Sequence, residues 1–198
     1  MNYKRKNLRI PIIKRKYADF FDTITNRRSV RDFLDKEIKD DVIAILMQSA
    51  RWAPSWQNKQ CFSYIIVKEK EMIKEITKAA GIFNSWMGKA PVIIVSCANP
   101  SLSGKRNGLH YFLVDAAIST EHLVLAATAL GLGTCWVGAF DEDKIKELLK
   151  IPENIRVIAL IPLGYPDKIK FVKSTLVNIM INNKRRKKIE DLVHYEKW

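Results

Sequence analysis

Histidine and cysteine are both scarce in this chain, with three of each among 198 residues. Cys61, Cys97 and Cys135 stand far apart and include no CxxC pair, which argues against a disulfide framework and against a thiolate metal centre. Each lies in an apolar, strand-like run, where a thiol behaves as a small buried hydrophobe. Free thiols belong in a reducing compartment, so the expected location is the cytoplasm. No uninterrupted apolar run reaches the ~18 residues that a membrane span needs. Pro11 breaks the one apolar patch near the start, so no secretory signal is expected. Internal repeats are missing too.

Acidic residues are absent from two stretches. Residues 1–16 carry seven basic side chains (Lys4, Arg5, Lys6, Arg9, Lys14, Arg15, Lys16), and residues 184–188 read Lys-Arg-Arg-Lys-Lys. The formal net charge of +13 points at first to nucleic acid or an anionic surface. Removing those twelve residues from the 34 basic ones leaves 22 against 21 acidic. The body is neutral and lacks a basic face with interleaved aromatics, so a nucleic-acid partner is not expected. A hydrophobic fraction of 47% and this length fit one domain with a sizeable core. The expected organisation is a basic arm over 1–16 and a single domain over 17–198.

Hydropathy periodicity orders the elements. A short helix runs from Tyr17 to about Asn26, and another over 40–52 sets Val42, Ile43, Leu46, Met47 and Ala50 on one face. A polar loop from Ala53 to Gln60 leads into a strand, Phe62 to Val67. A helix over 69–80 and a buried strand, Val92 to Ala98, come next. A polar, mobile loop is expected over 99–108. The most apolar helix spans about Leu109 to Leu130; it should be central, with Asp115, Glu121 and His122 as its interruptions. Gly131 and Gly133 can end it. A strand from Thr134 to Ala139, a helix from an Asp141 N-cap to about Lys150, and a strand over 156–163 complete the body. The alternation predicts a sheet covered by helices on both faces. The remaining tail, with apolar residues alternating with charges, needs a surface to cover, and another subunit is a candidate.

Three polar features carry possible chemistry. Arg27, Arg28, Ser29 and Arg31 place rigid donor forks and a hydroxyl within five positions, either as a solvated basic turn or as a grip for a phosphorylated, polar-edged ligand. Pro54-Ser55-x-x-Asn58-x-Gln60 offers a hydroxyl and amides that can read a planar heterocycle. Gly131-x-Gly133-Thr134-Cys135-Trp136-Val137-Gly138 permits close backbone approach to a ligand, with Gly131 alternatively a helix cap. His122 is either a helix-face residue with a hydrogen bond or a catalytic group.

These pieces together resemble the nitroreductase family of FMN-dependent oxidoreductases. Arg-Arg-Ser-Val-Arg-Asp-Phe, Ala-Pro-Ser-x-x-Asn-x-Gln, the Asp115-Ala-Ala helix, Gly-Leu-Gly-Thr-Cys-Trp-Val-Gly, Leu163-Gly-Tyr-Pro166 and the tail closing on Trp198 follow in the family's order from about residue 19 onward. None is specific alone; the series is. The resemblance implies an α+β, three-layer α/β/α fold with a mixed central sheet. It also implies an intertwined homodimer that exchanges a C-terminal extension over about 167–198.

In site terms, the resemblance implies that Arg27, Arg28, Ser29 and Arg31 hold FMN, with Arg31 near flavin N1 and O2. Pro54, Ser55, Trp56 and Asn58 reach the flavin of the other subunit, and Gly138 and Ala139 pass its ring. Lys184 and Arg186 complete the phosphate site. NADH or NADPH donates electrons and a nitroaromatic, quinone or flavin accepts them by a ping-pong mechanism. No side-chain nucleophile or metal is required. Same-fold alternatives are flavin fragmentation, dehalogenation and azoline oxidation; the alternative of another class is a nucleic-acid or anionic-surface binder. Trp56 is bulky where the family usually has a small residue, and is expected to narrow the acceptor pocket or offer it a stacking face. The arm 1–16 has no family counterpart and is expected to be dispensable for FMN.

Overall fold

The structure, a computed structural model, describes residues 20–167 and 186–198. The basic arm, Lys184 and residues 168–185 of the extension lie outside the described residues.

Two long apolar strands make the centre of the sheet, because each is buried on both faces and so reads as a continuous hydrophobic run. These are β2 (Val92–Ala98) and β6 (Arg156–Gly164). β1 (Phe62–Val67) flanks β2 and β5 (Gly133–Thr134) flanks β6, giving the order β1-β2-β6-β5 with antiparallel pairs throughout. A parallel bridge from Ser29 to Thr134 extends the β5 edge and makes the sheet mixed.

Side chains alternate across the sheet and sort the helices into two layers. Ile93, Val95 and Cys97 meet Ile73 and Ile76 of α3 (Lys70–Ala79) and Ile145 of α5 (Glu142–Leu149). Val92, Ile94, Ala159, Ile161 and Leu163 meet Ile43 and Leu46 of α2 (Asp40–Arg51) and Leu123, Val124 and Ala127 of α4 (Tyr111–Ala129). Each large aliphatic side chain fully buried in this way stabilises the fold by about 1.5–3 kcal/mol. Tyr111–Ala129 has the length and composition of a membrane span, yet here it is the core helix. Its end is a Schellman turn: Gly131, at φ +76°, donates to the Thr128 carbonyl, and Leu132 donates to that of Ala127, both at 2.9 Å. His122 sits on the helix face with Nδ1 3.3 Å from the Ser49 carbonyl.

Two expectations change. The strand expected over 134–139 is shorter: after Thr134 only Val137 pairs, exchanging both backbone hydrogen bonds with Leu160. The next β6 position whose N–H would point to that edge is residue 162, a proline without one. The loop expected over 99–108 is built. Asn99 caps a 3-10 turn, Pro100–Leu102, by accepting from Ser101 N at 3.0 Å. β3 (Lys105–Arg106) and β4 (Leu109–His110) then form a hairpin. Its turn is Asn107-Gly108, with φ of +50° and +79°, as a two-residue primed turn requires.

α5 is fixed at its start by two carboxylates. Asp141 caps it, accepting from Lys144 N at 3.1 Å. Glu142 accepts a forked pair from Arg156 at 2.9 Å and the Val157 N–H at 2.9 Å. Arg156 first, then the Val157 N–H, hold the Glu142 carboxyl below its usual range. Its stabilisation is therefore fully present above the ordinary carboxylate value near 4.5 and is lost as pH falls through the lower folded value. Glu142→Gln should cost about 1 kcal/mol at neutral pH, the exposed guanidinium discounting the pair. The difference from wild type should vanish below that window in thermal melts at successive pH.

Candidate functional site

The arginine-rich stretch follows α1 (Phe20–Asn26) and runs as an extended segment along β5 and the chain leaving β6. Val30 N donates to the Thr134 carbonyl at 2.8 Å, Leu34 N to that of Tyr165 at 2.9 Å, and Asp167 N to that of Asp32 at 3.0 Å. Val30 and Phe33 are buried, and two glycines make room for them. A Cβ at Gly133 would lie 2.7 Å from Val30 Cβ, and one at Gly164 would lie 2.7 Å from Phe33 Cδ1. With its apolar side chains locked inward, the segment has no freedom to slide.

Its polar side chains diverge. Arg27 pairs with Glu121 of α4 at 3.7 Å. Arg28 turns back, donating through Nη1 to the Thr25 and Arg27 carbonyls at 2.6 and 2.7 Å, where a cation suits the end of α1. Ser29 reaches the Cys135 thiol. Arg31 lies with Cζ 5.7 Å from the centre of the Trp86 ring, and Trp86 packs in turn against Phe33 with ring centres 6.5 Å apart. Arg31 Nη1 is buried and has no hydrogen-bond partner among the described residues. A desolvated guanidinium donor left unpaired is costly, so this nitrogen points to an acceptor that the described residues do not supply.

The glycine-rich segment lies alongside. Ser29 and Arg31 both act on Cys135, and past Val137 the chain reaches Gly138, beside which there is open space. Ala139 is tied by its carbonyl to Asn84 Nδ2 at 3.0 Å. The structure thus gathers Ser29 and the charges of Arg27 and Arg31 about Cys135, from which the chain runs on to Gly138 and Ala139: donors, positive charge and an accessible backbone edge. That set suits an anionic or carbonyl-edged planar ligand.

Burial pushes the Cys135 thiol up, and the charges of Arg31 and Arg27 with the Ser29 bond offset only part of this. Burial also pushes Cys61 and Cys97 up to about 11. All three thiols are protonated and covered at neutral pH, so a chromogenic disulfide reagent at pH 8 should titrate none of them in the native protein and three after denaturation.

The Pro54–Gln60 loop is held elsewhere. Trp56 N donates to Asp115 Oδ1 of α4 at 2.8 Å, and Ser55 Oγ accepts from Gln60 N at 2.9 Å. Asn58 Oδ1 accepts from Gln60 Nε2 at 3.2 Å. Gln57, Asn58 and Gln60 all have positive φ, at 47°, 56° and 51°, a strain of about 1–3 kcal/mol each that gathers at functional loops. The Trp56 ring is half-buried. It stacks on Tyr111 with ring centres 4.1 Å apart and covers Gly104, where a Cβ would fall 2.4 Å from Trp56 Cε2. Arg186 is exposed, and Lys184 falls outside the described residues.

Sequence reasoning did not find Trp86, Ser103, Tyr111 or Asn84. Asp115 it found only as a motif position, although an acid inside an apolar helix is itself a signal that donors must converge there.

An α/β/α sandwich with a strained polar loop and an unpaired arginine donor suits a nucleotide-cofactor oxidoreductase, and the comparisons supply the class. The nitroreductase family model matches residues 24–165, and the chain belongs to the nitroreductase family. An Archaeoglobus fulgidus relative, provisionally named an NADH dehydrogenase/NAD(P)H nitroreductase, is 37% identical over 147 residues, 72% of this chain and 83% of its own. A nitroreductase family protein of Clostridium novyi NT has a similar structure, with a TM-score of 0.73 and 40% identity over 77% of this chain and 88% of that one. The NADPH:FMN oxidoreductase of Vibrio harveyi, solved with NAD+, gives a TM-score of 0.75 at 26% identity over 90% of this chain and 77% of that one.

Proposed function

We propose that the protein is a cytoplasmic, homodimeric FMN-dependent oxidoreductase that passes electrons from NADH or NADPH to a small acceptor: a nitroaromatic, a quinone or a free flavin. The buried, unpaired Nη1 of Arg31 carries this reading. It has the charge and donor geometry that the pyrimidine edge of an isoalloxazine ring would accept. When bound, FMN supplies the hydride and electron chemistry. The protein supplies fixed donors. Arg31 sets a positive charge against the ring edge, where it favours negative charge. Ser29 and the Gly138–Ala139 backbone edge orient the ring. Arg27, Lys184 and Arg186 would neutralise the phosphate, and Arg28 would join them only by leaving its bonds to α1.

Helix geometry supports the dimer. Arg27 is tied to Glu121 and the Trp56 loop to Asp115, six residues apart on α4. At about 100° per residue these lie on different sides of the helix. One chain therefore holds the arginine cradle and the amide loop apart, and a second copy, meeting the first through α4, can bring Pro54, Ser55, Trp56 and Asn58 to the other cradle. Exchange of the extension over 167–198 would complete the dimer.

The test separates the half-reactions. The protein is treated with NADPH or NADH without oxygen, freed of nicotinamide by gel filtration, and mixed with a nitroaromatic or quinone. The expected result is stoichiometric acceptor reduction by the nicotinamide-free protein, eluting as a dimer. A reaction that needs nicotinamide and acceptor present together would contradict the ping-pong assignment.

A further inference from the structure

Asp115 is 2% exposed within a helix that is apolar on most faces. Its carboxylate is satisfied by neutral donors from two separate loops. Trp56 N–H reaches Oδ1 at 2.8 Å, while Ser103 Oγ–H and Cys61 Sγ–H reach Oδ2 at 2.8 and 3.5 Å. Cys61 remains a donor throughout the physiological range, its thiol being pushed up to about 11 by burial first and then by Asp115.

The two loops are fastened to each other at further points. Asn99 N donates to the Cys61 carbonyl at 2.8 Å, while the second loop is closed on itself by Tyr111 N donating to the Gly104 carbonyl at 2.9 Å. The Trp56 ring fills the notch that Gly104 leaves and stacks on Tyr111. On one side of this junction lies the turn with three left-handed non-glycine residues; on the other lies the exposed Lys105–His110 hairpin. A turn so strained keeps its shape only when its surroundings over-determine it, and Asp115 is the fixed point that both sides share.

We propose that Asp115 is a positioning residue for the cofactor site: one carboxylate fixes the Ser55–Gln60 turn against the Ser103–His110 segment, with Trp56 as the pin, so that both meet the flavin as a single rigid edge. The flavin part rests on the FMN reading above; the clamp does not. Removing one acceptor from a charge-assisted bond weakens what it holds by about tenfold.

The experiment compares Asp115→Asn and Ser103→Ala with the wild-type FMN-loaded dimer. Asparagine keeps the shape and the acceptor for Trp56, but sets an NH2 group against two donors. Limited trypsin digestion, read by mass spectrometry as the fragment beginning at Asn107, should run about tenfold faster in both variants. FMN affinity, read by flavin fluorescence on dilution, should fall about tenfold in Asp115→Asn and by a smaller factor in Ser103→Ala, which frees only one of the two loops. A lower Tm in Asp115→Asn with cleavage after Arg106 and FMN affinity both unchanged would make Asp115 an ordinary core residue and overturn the proposal. Should Asp115→Asn fail to fold, unchanged cleavage in Ser103→Ala overturns it equally. A wild-type protein that binds no FMN would defeat the flavin reading alone, since the cleavage comparison still decides the clamp.

Discussion

Replacing Arg31 with methionine should lower FMN affinity by about 10- to 100-fold, the equivalent of one or two hydrogen bonds to a charged group, while leaving the flavin-free protein at least as stable as before. The two effects have opposite signs because they come from the same atom. Nη1 is buried without a partner among the described residues, so the flavin-free fold bears its desolvation; a thioether of similar length removes that cost and keeps the packing over Trp86. Bound FMN would supply the acceptor and reverse the balance. Stability at a binding site is often given up for function in this way. Chemical denaturation of the flavin-free proteins and fluorescence titration with FMN read the two effects separately. Lower stability in the flavin-free variant with unchanged FMN affinity would mean that Arg31 is a structural cation.

The second large effect is expected at Gly133. An added methyl would meet Val30 at Cβ, Cγ2 and Cγ1, at 2.7, 2.7 and 2.8 Å. These atoms cannot swing aside, since they sit next to a backbone fixed by the Val30–Thr134 hydrogen bond. Gly133→Ala should cost about 2–3 kcal/mol, a fall in Tm of about 5–10 °C for a chain of this size. It should also release FMN, because Ser29 and Arg31 ride on the displaced segment. Val30→Ala added to Gly133→Ala should restore much of the stability, as neighbouring sites couple. Two independent losses that simply add would show that the contact is not the cause.

Much of the site was legible because its chemistry is local in the chain. Arg27, Ser29 and Arg31 announce themselves by residue type and spacing, Gly131 ends α4 as its position implies, and His122 rests on the helix face. The rest depends on contacts distant in sequence. Nothing near residue 86 says that Trp86 will lie under Arg31, more than fifty positions away. The break in the strand after Thr134 was written in Pro162, but its meaning depends on which edge of β6 its missing N–H would face. The Asn107-Gly108 turn is a strong hairpin signal flanked here by basic and polar residues, so the period-two hydrophobic pattern that would have supported it is missing. The place of Trp56 over Gly104 and Tyr111 depends likewise on residues about fifty positions away.

The measurement that bears most directly on the central claim is the visible absorbance spectrum of the freshly purified protein, recorded without oxygen before and after addition of NADPH or NADH. The account predicts twin flavin bands, released by denaturation as FMN, that bleach on adding one of the two nicotinamides. A colourless protein that also takes up no added FMN would contradict it, since the orphaned Arg31 would then have some other acceptor.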